Sequence, residues 1–479
     1  MATNSLKEKT ARGLLWGGLS SGLQQVLNLC FGIVLARLLT QSDYGMVGML
    51  SVFVLMAGAL QEGGFISALN KRTTVTQADY TSVFWFNIIV SLSIYAVLFA
   101  CAPLIARFYG EPALTPLSRY VFAGFVVSSF NIVPRAKLFR ELKVKQTTQI
   151  TLTALAVAGI VGIGMAWQGY AYWGLATQSI VYAVMMTVQC YALTGWRPDW
   201  KFTWTPVREM FGFSSRLIVT NLFQIVNQNL FSILLGRFYG AATTGNFTQA
   251  NKWNTMGHTF VTQMLQSVSQ PVFARLDDKA ERLQAFRKLL RFTSLFAFPA
   301  MFGLALVTPE FIVLALGAKW HTAVPYLQLL CLWGAFVPVQ SLYTNLLIAR
   351  GRSDLYMYGT IALALIEISA ALAARPLGIF PMLAIFVAVN LLWTFFWHYH
   401  THREIGLRLT QAFRDVAPYL LLSLALCGAV ALWLPPFGNL WLRLAAKVLL
   451  VALPYGAVLY LSGSVIFREG LSFLLHRKG

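Results

Sequence analysis

The chain of 479 residues is 57% hydrophobic and only 11% charged, under half the charged share of an ordinary soluble domain. Apolar runs of about 20 residues recur along its whole length, which excludes a soluble domain and also a β-barrel with its short alternating strands. The net charge of +20 would suit nucleic acid, but the basic residues gather in the turns on one side of the apolar runs, the pattern that sets membrane topology.

Fourteen spans are predicted, near 14–38, 44–67, 81–106, 117–138, 148–167, 170–194, 213–239, 245–271, 292–316, 323–349, 355–374, 378–400, 416–434 and 440–462. With the N-terminus in the cytoplasm, the outside turns keep Arg37, Arg107, Arg119, Arg237, Lys319, Arg375 and Arg443, and most other Lys and Arg fall inside. Both termini are therefore expected in the cytoplasm, and no nucleic-acid partner. The opening MATNSLKEKTARG lacks the apolar core and cleavage motif of a signal peptide, so the first helix is expected to direct its own insertion.

The first span is rich in small and amide residues. Gly13/Gly17 and Gly18/Gly22 allow close helix approach, and Gln24 and Asn28 share one face. Its end, FGIVLARLLTQSDYG at 31–45, returns two hundred residues later as FSILLGRFYGAATTG at 231–245. Phe31, Ile33, Leu35, Arg37 and Gly45 then fall on Phe231, Ile233, Leu235, Arg237 and Gly245, and Gln24 on Gln224. So long a period points to two similar halves of one membrane protein. The second span ends in Glu62, followed by Gly63 and Gly64, an acid near the cytoplasmic end with Lys71 and Arg72 as available partners. Pro134 ends or kinks the fourth span inside a basic segment. After the sixth span, Trp196, Trp200 and Trp204 alternate with basic residues, the composition of a headgroup-level anchor and a linker between halves.

The seventh span repeats the amides of the first with Asn221, Gln224 and Gln228; such groups face protein or water rather than lipid. The eighth carries Lys252, Thr259, Gln263, Gln266 and Gln270 along one face, with His258 nearby, and is expected to line an aqueous path. Residues 275–291 read as a basic amphipathic connector on the cytoplasmic surface. Glu367 and Lys447 lie within later spans, each either functional or paired inside the bundle. His398, His400 and His402 offer only two ligands on one helical face, so an interfacial place is expected rather than a metal site. The five cysteines sit in apolar runs without metal spacing and read as packing residues. No P-loop, HExxH, GxSxG or DxD motif is present, so neither an enzyme nor a cofactor is expected.

ARLLTQSDYG, QEGGFISALNKR, the basic segment around Pro134–Arg140, GYAYWGLATQ, WRPDWKF, LLGRFYGAATTGNFTQA, PVFARLDD, TPEFIVLALGAKW and IARGRSDL, in this order and spacing, resemble the Wzx-type oligosaccharide flippases. These form part of the polysaccharide-transporter branch of the MOP superfamily, and the likeness runs from about residue 10 to 400. It implies an all-α polytopic fold in which two pseudo-symmetric six-helix lobes, 1–200 and 201–403, form a V-shaped cavity, with two further helices and a tail in 404–479. It also implies transfer of undecaprenyl-diphosphate-linked oligosaccharide from the cytoplasmic to the periplasmic leaflet of a bacterial inner membrane. Related lipid II flippases carry first-helix arginines at positions that are Gln25 and Phe31 here, although their EGAF-like segment matches Glu62-Gly63-Gly64-Phe65.

On this reading Gln24, Asn28, Gln224, Gln228 and Gln263 would touch sugars. Lys252 and Arg216, then Arg37 and Arg237, would hold the diphosphate, although the last two also close their helices at the outer interface. Glu62 and Glu367 are candidates for coupling an ion. Expected partners are the lipid-linked glycan, membrane lipids and a polymerase or chain-length apparatus, with the chain itself a monomer. The alternative is a multidrug or organic-cation antiporter on the same scaffold, which would need acids facing the cavity.

Overall fold

The computed structural model describes residues 22–62, 75–141, 143–200, 202–435, 438–463 and 467; within its helices the side chains of 62, 205–220 and 267 are not described. The chain divides into two compact units, 1–245 and 246–479. The described residues form helices and connecting turns, with no strand.

The first unit holds α1 (Gly22–Leu38), α2 (Gln41–Glu62), α3 (Gln77–Tyr109), α4 (Leu114–Ser129), α5 (Ile132–Arg140), α6 (Val144–Trp167) and α7 (Tyr172–Thr194). The next helix, α8 (Trp204–Arg275), runs on into the second unit. Its regular backbone is interrupted at Gly240, with φ 79° and ψ −177°, a conformation that only glycine adopts without strain. Two predicted spans thus appear as one helix with a break. The second unit adds α9 (Lys279–Ala315), α10 (Ala323–Gly334), α11 (Val337–Ala349), α12 (Ser353–Ala374), α13 (Ile379–Ile405), α14 (Leu409–Trp433) and α15 (Leu440–Leu461). Here one predicted span, 323–349, is divided into α10 and α11. Among the described residues, nine stretches are long and apolar enough to cross a membrane, and α4 with α5, bent by 44°, makes a tenth.

Local chemistry explains where the helices start. Thr40 precedes α2, and its N–H and hydroxyl both donate to Asp43 Oδ2, at 2.8 and 2.7 Å, while Asp43 N–H returns to Thr40 Oγ1 at 3.3 Å. Thr76 and Asp79 build the same reciprocal box ahead of α3. The other oxygen of Asp43 accepts from the N–H of Tyr172 at 3.1 Å, so one carboxylate serves the first turns of both α2 and α7.

The core of the first unit gathers Met49, Leu50, Ile105, Leu114, Leu117 and Phe122, with Ala241 packed among them. A second cluster joins Val83, Phe84 and Ile88 of α3 to Val133 and Ala136 of α5 and to Trp196. The tryptophan linker is fastened there. Trp196 Nε1 donates to Gln77 Oε1 at 2.9 Å, Trp85 Nε1 donates to the Asp199 carbonyl at 2.9 Å, and Trp200 stacks on Trp85 with centroids 5.2 Å apart.

In the second unit the basic connector is not a separate surface helix. It forms the first turns of α9, whose 37 residues extend about 55 Å, far beyond a hydrocarbon core of about 30 Å. Asp278 caps it by accepting from Glu281 N–H at 2.9 Å. Arg287 donates twice to Asp415 of α14, at 2.6 and 3.1 Å, and Arg291 lies 3.0 Å from the same carboxylate. Those turns are thus held to the protein by a buried acid.

Candidate functional site

Within the first unit, α2, α7, α8 and the bent pair of α4 and α5 line a cavity of about 850 Å³. Each contributes one helical stripe. α4 and α5 give Ser128, Asn131, Ile132 and Arg135; α7 gives Ser179, Tyr182, Ala183 and Met186; α8 gives Asn221, Gln224, Ile225 and Gln228. All three sets follow the i, i+3, i+4, i+7 spacing of a single helix face. α2 adds Val54, Leu55, Gly58, Ala59 and Gln61, its glycine and alanine leaving room where the polar side chains converge.

The polar groups are held in place. Gln61 Nε2 donates to the Phe125 carbonyl at 2.7 Å. Asn131 Nδ2 donates to Thr187 Oγ1 at 3.3 Å, and that hydroxyl lies 3.2 Å from the Val127 carbonyl. The 44° bend after α4 keeps Asn131 and Arg135 on the side of Ser128. A chamber with five amides, two serine hydroxyls, a phenol and one guanidinium, set among apolar helices, suits a polar ligand rich in hydroxyls.

Of the residues singled out from sequence, Gln224 and Gln228 line this chamber. Gln24 is half-buried and Asn28 exposed on α1. Arg37 and Arg237 are both exposed at equivalent points of the repeat, the latter with its guanidinium 5.5 Å from the centre of the Phe108 ring. Lys252 and Gln263 belong to the second unit, where Lys252 Nζ lies 5.8 Å from the Trp253 ring and Gln263 is exposed. The side chains of Arg216 and Glu62 lie outside the described residues. Glu367 is buried between α12 and α13. Asn390 Nδ2 donates to its Oε1 at 2.8 Å, and its Oε2 has no partner among the described residues. Gln340 of α11 extends the network by donating to the Asn390 carbonyl at 2.7 Å and to Thr394 Oγ1 at 2.9 Å.

Lys447 is a bundle partner. Its ammonium donates to both oxygens of Glu310, at 2.7 and 2.8 Å, and to the Leu306 carbonyl at 3.0 Å. The three histidines point apart: His398 Nδ1 meets the Tyr343 hydroxyl at 3.4 Å, His400 stands against Phe396, and His402 Nδ1 is 2.9 Å from the Leu407 carbonyl.

Sequence reasoning did not single out Gln61, Asn131, Tyr182 or Arg135 as site residues. The spacing Ser128, Asn131, Arg135 was visible, but it straddles Pro134, which reads as the end of a span.

A family profile described as "Polysaccharide biosynthesis protein" matches residues 34–325. Lipopolysaccharide biosynthesis protein WzxC of Escherichia coli (strain K12) is 26% identical over 358 residues, 73% of this chain and 72% of that protein. Teichuronic acid biosynthesis protein TuaB of Bacillus subtilis (strain 168) is 23% identical over 370 residues, 74% of each. Succinoglycan biosynthesis transport protein ExoT of Rhizobium meliloti (strain 1021) is 25% identical over 333 residues, covering 69% of this chain and 67% of that one. Among solved structures, lipid II flippase MurJ in an inward closed conformation superposes with a TM-score of 0.75 at 14% identity, over 97% of this chain and all of that one. An inward-facing MATE multidrug transporter of the MOP superfamily gives 0.64 at 15% identity, over 80% of this chain and 94% of that one. At these identities the structural likeness speaks for the fold alone.

Proposed function

This chain belongs to the polysaccharide biosynthesis protein family, among the Wzx-type transporters of the MOP superfamily, and from that premise we propose that it carries an undecaprenyl-diphosphate-linked oligosaccharide from the inner to the outer leaflet of a bacterial inner membrane. The observation that carries the reading is the amide-rich chamber of about 850 Å³ inside a unit built of apolar helices. A sugar head cannot cross about 30 Å of hydrocarbon bare, and amides exchange hydrogen bonds with hydroxyls without gripping them. The relatives are named for different glycans, lipopolysaccharide, teichuronic acid and succinoglycan, and one is named a transport protein. A shared transport step with varied cargo fits that spread.

The repeat supports a division into lobes 1–200 and 201–403 with a C-terminal part 404–479, and the basic turns support cytoplasmic termini. The described lining holds no carboxylate, which disfavours the organic-cation antiporter. Lys252, Arg216, Arg37 and Arg237 are proposed to meet the diphosphate along its path. A polymerase as partner and a monomeric chain complete the proposal.

Deleting the gene in its host is expected to leave lipid-linked oligosaccharide on the cytoplasmic side; normal export in the deletion strain would overturn the reading. In complemented cells, Gln224→Ala with Gln228→Ala is expected to slow export by about thirtyfold, two lost hydrogen bonds of about 1 kcal/mol each. Undiminished export would take the chamber out of the path.

Two negative charges moving outward across a membrane held inside-negative by 100 mV release about 4.6 kcal/mol, provided the protein's own cations stay behind. Glu62 and Glu367 are the proposed sites if an ion also contributes. Glu62→Gln and Glu367→Gln are then expected to change the ion dependence of export, and an unaltered dependence in both would leave the potential as the sole drive.

A further inference from the structure

Arg135 stands out in the chamber. Among its described lining residues this side chain alone carries a fixed charge. It is exposed to the chamber although Ile132, Val133, Pro134 and Ala136 around it on α5 are all buried. No hydrogen bond or ion pair ties its guanidinium to a described residue, whereas neighbouring Lys143 is occupied by Glu141 at 2.6 Å. A guanidinium directed into a chamber with no acid among its described lining residues is arranged for a ligand that is itself anionic.

We infer that Arg135 is the residue on which the first unit catches the phosphate end of its ligand, with the amide stripes and Tyr182 taking the neutral remainder. The inference rests on the transport reading above and names the anion subsite within it. The planar fork of arginine matches paired phosphate oxygens in a way that a lysine ammonium does not. The stripe Ser128, Asn131, Arg135 places a hydroxyl and an amide on the same face, so phosphate oxygens not held by the guanidinium meet further donors. Arg135 also lies in the basic segment that charge asymmetry assigns to the cytoplasmic side. A fixed cation at the loading mouth captures the diphosphate where it enters and does not travel with it, the condition under which the membrane potential drives the charge outward.

The test uses the full chain in nanodiscs of phosphatidylcholine, with farnesyl diphosphate as the lipid-linked probe and inorganic pyrophosphate as the free anion. Wild type is expected to bind farnesyl diphosphate and to lose it to pyrophosphate. Arg135→Ala should weaken both at least tenfold, and Arg135→Lys less. Arg135→Gln, with a hydrogen-bonding end and no charge, replaces the alanine variant should that not fold. Discs containing phosphatidylglycerol separate the sources: displacement of the probe by that lipid as readily as by pyrophosphate would make Arg135 a general headgroup anchor and overturn the inference. Export in cells separates this subsite from the chamber. Normal export by Arg135→Ala beside slowed export by Gln224→Ala with Gln228→Ala sinks the anion subsite alone; normal export in both sinks the chamber reading as well. Unchanged probe affinity in Arg135→Ala overturns the assignment directly.

Discussion

Adding a single methyl group at Gly45 or at Gly245 is expected to lower stability by about 3 kcal/mol, the upper part of the range for overpacking. A Cβ built on Gly45 would overlap the carbonyl oxygen of Ala241 and come within 2.5 Å of its carbon. One built on Gly245 would overlap the carbonyl oxygen of Gln41, 2.8 Å from its carbon and 2.9 Å from the nitrogen of Gly45. The obstacles are backbone atoms of helices, which cannot swing aside as a side chain does. The relation is reciprocal, 45 against 241 and 245 against 41, each pair of equivalents being 200 residues apart. That is how two copies of one motif meet about a local twofold. Because both substitutions would be relieved by the same separation of α2 from the start of α8's second arm, Gly45→Ala with Gly245→Ala is expected to cost clearly less than the sum of the two. Thermal unfolding of the purified variants in detergent reads all three. Single variants as stable as wild type would mean that the helices do not approach so closely.

The same pair shows what could be read from the chain beforehand. Hydropathy locates the helices because a span must satisfy its backbone internally, whatever its neighbours are. The offset of 200 identified Gly45 and Gly245 as equivalents, with Leu35 and Leu235 both buried and Arg37 and Arg237 both exposed in the structure. What stayed hidden are pairings set by tertiary packing. Asp43 was one letter of a motif until its second oxygen met Tyr172, 129 positions on. Asp415 gave no sign of gathering Arg287 and Arg291. Arg135 counted only toward topology, because charge asymmetry treats every inside arginine alike; which of them turns into a chamber depends on a 44° bend between two helices. Lys447 read equally well as functional or paired, since its partner lies 137 positions away, beyond the reach of any helical period.

That last pairing supports the second large effect, in the opposite sense to a contact tally. Glu310→Gln is expected to destabilise the protein by about 3–5 kcal/mol. Glu310 is 1% exposed, accepts twice from Lys447 and lies 2.8 Å from Arg443 Nε, so neutralising it strands the buried Lys447 inside the second unit and leaves the half-buried Arg443 without its counter-charge. Lys447→Met is expected to cost less, because Arg443 still answers the carboxylate. Replacing all three with apolar residues of similar size, Glu310→Leu with Arg443→Met and Lys447→Met, should bring stability back to within about 1 kcal/mol of wild type, since the desolvation of the ions is then avoided along with their attraction. The hydrogen bond from the Tyr455 hydroxyl to the Leu295 carbonyl at 2.9 Å would still fasten α15 to α9 two turns further along. Export by the triple variant then distinguishes the two roles open to Lys447. Export at the wild-type rate means that the cluster only joins the last helix to the bundle. A stable triple variant that no longer exports would give these ions a part in transport, which stability alone could never reveal.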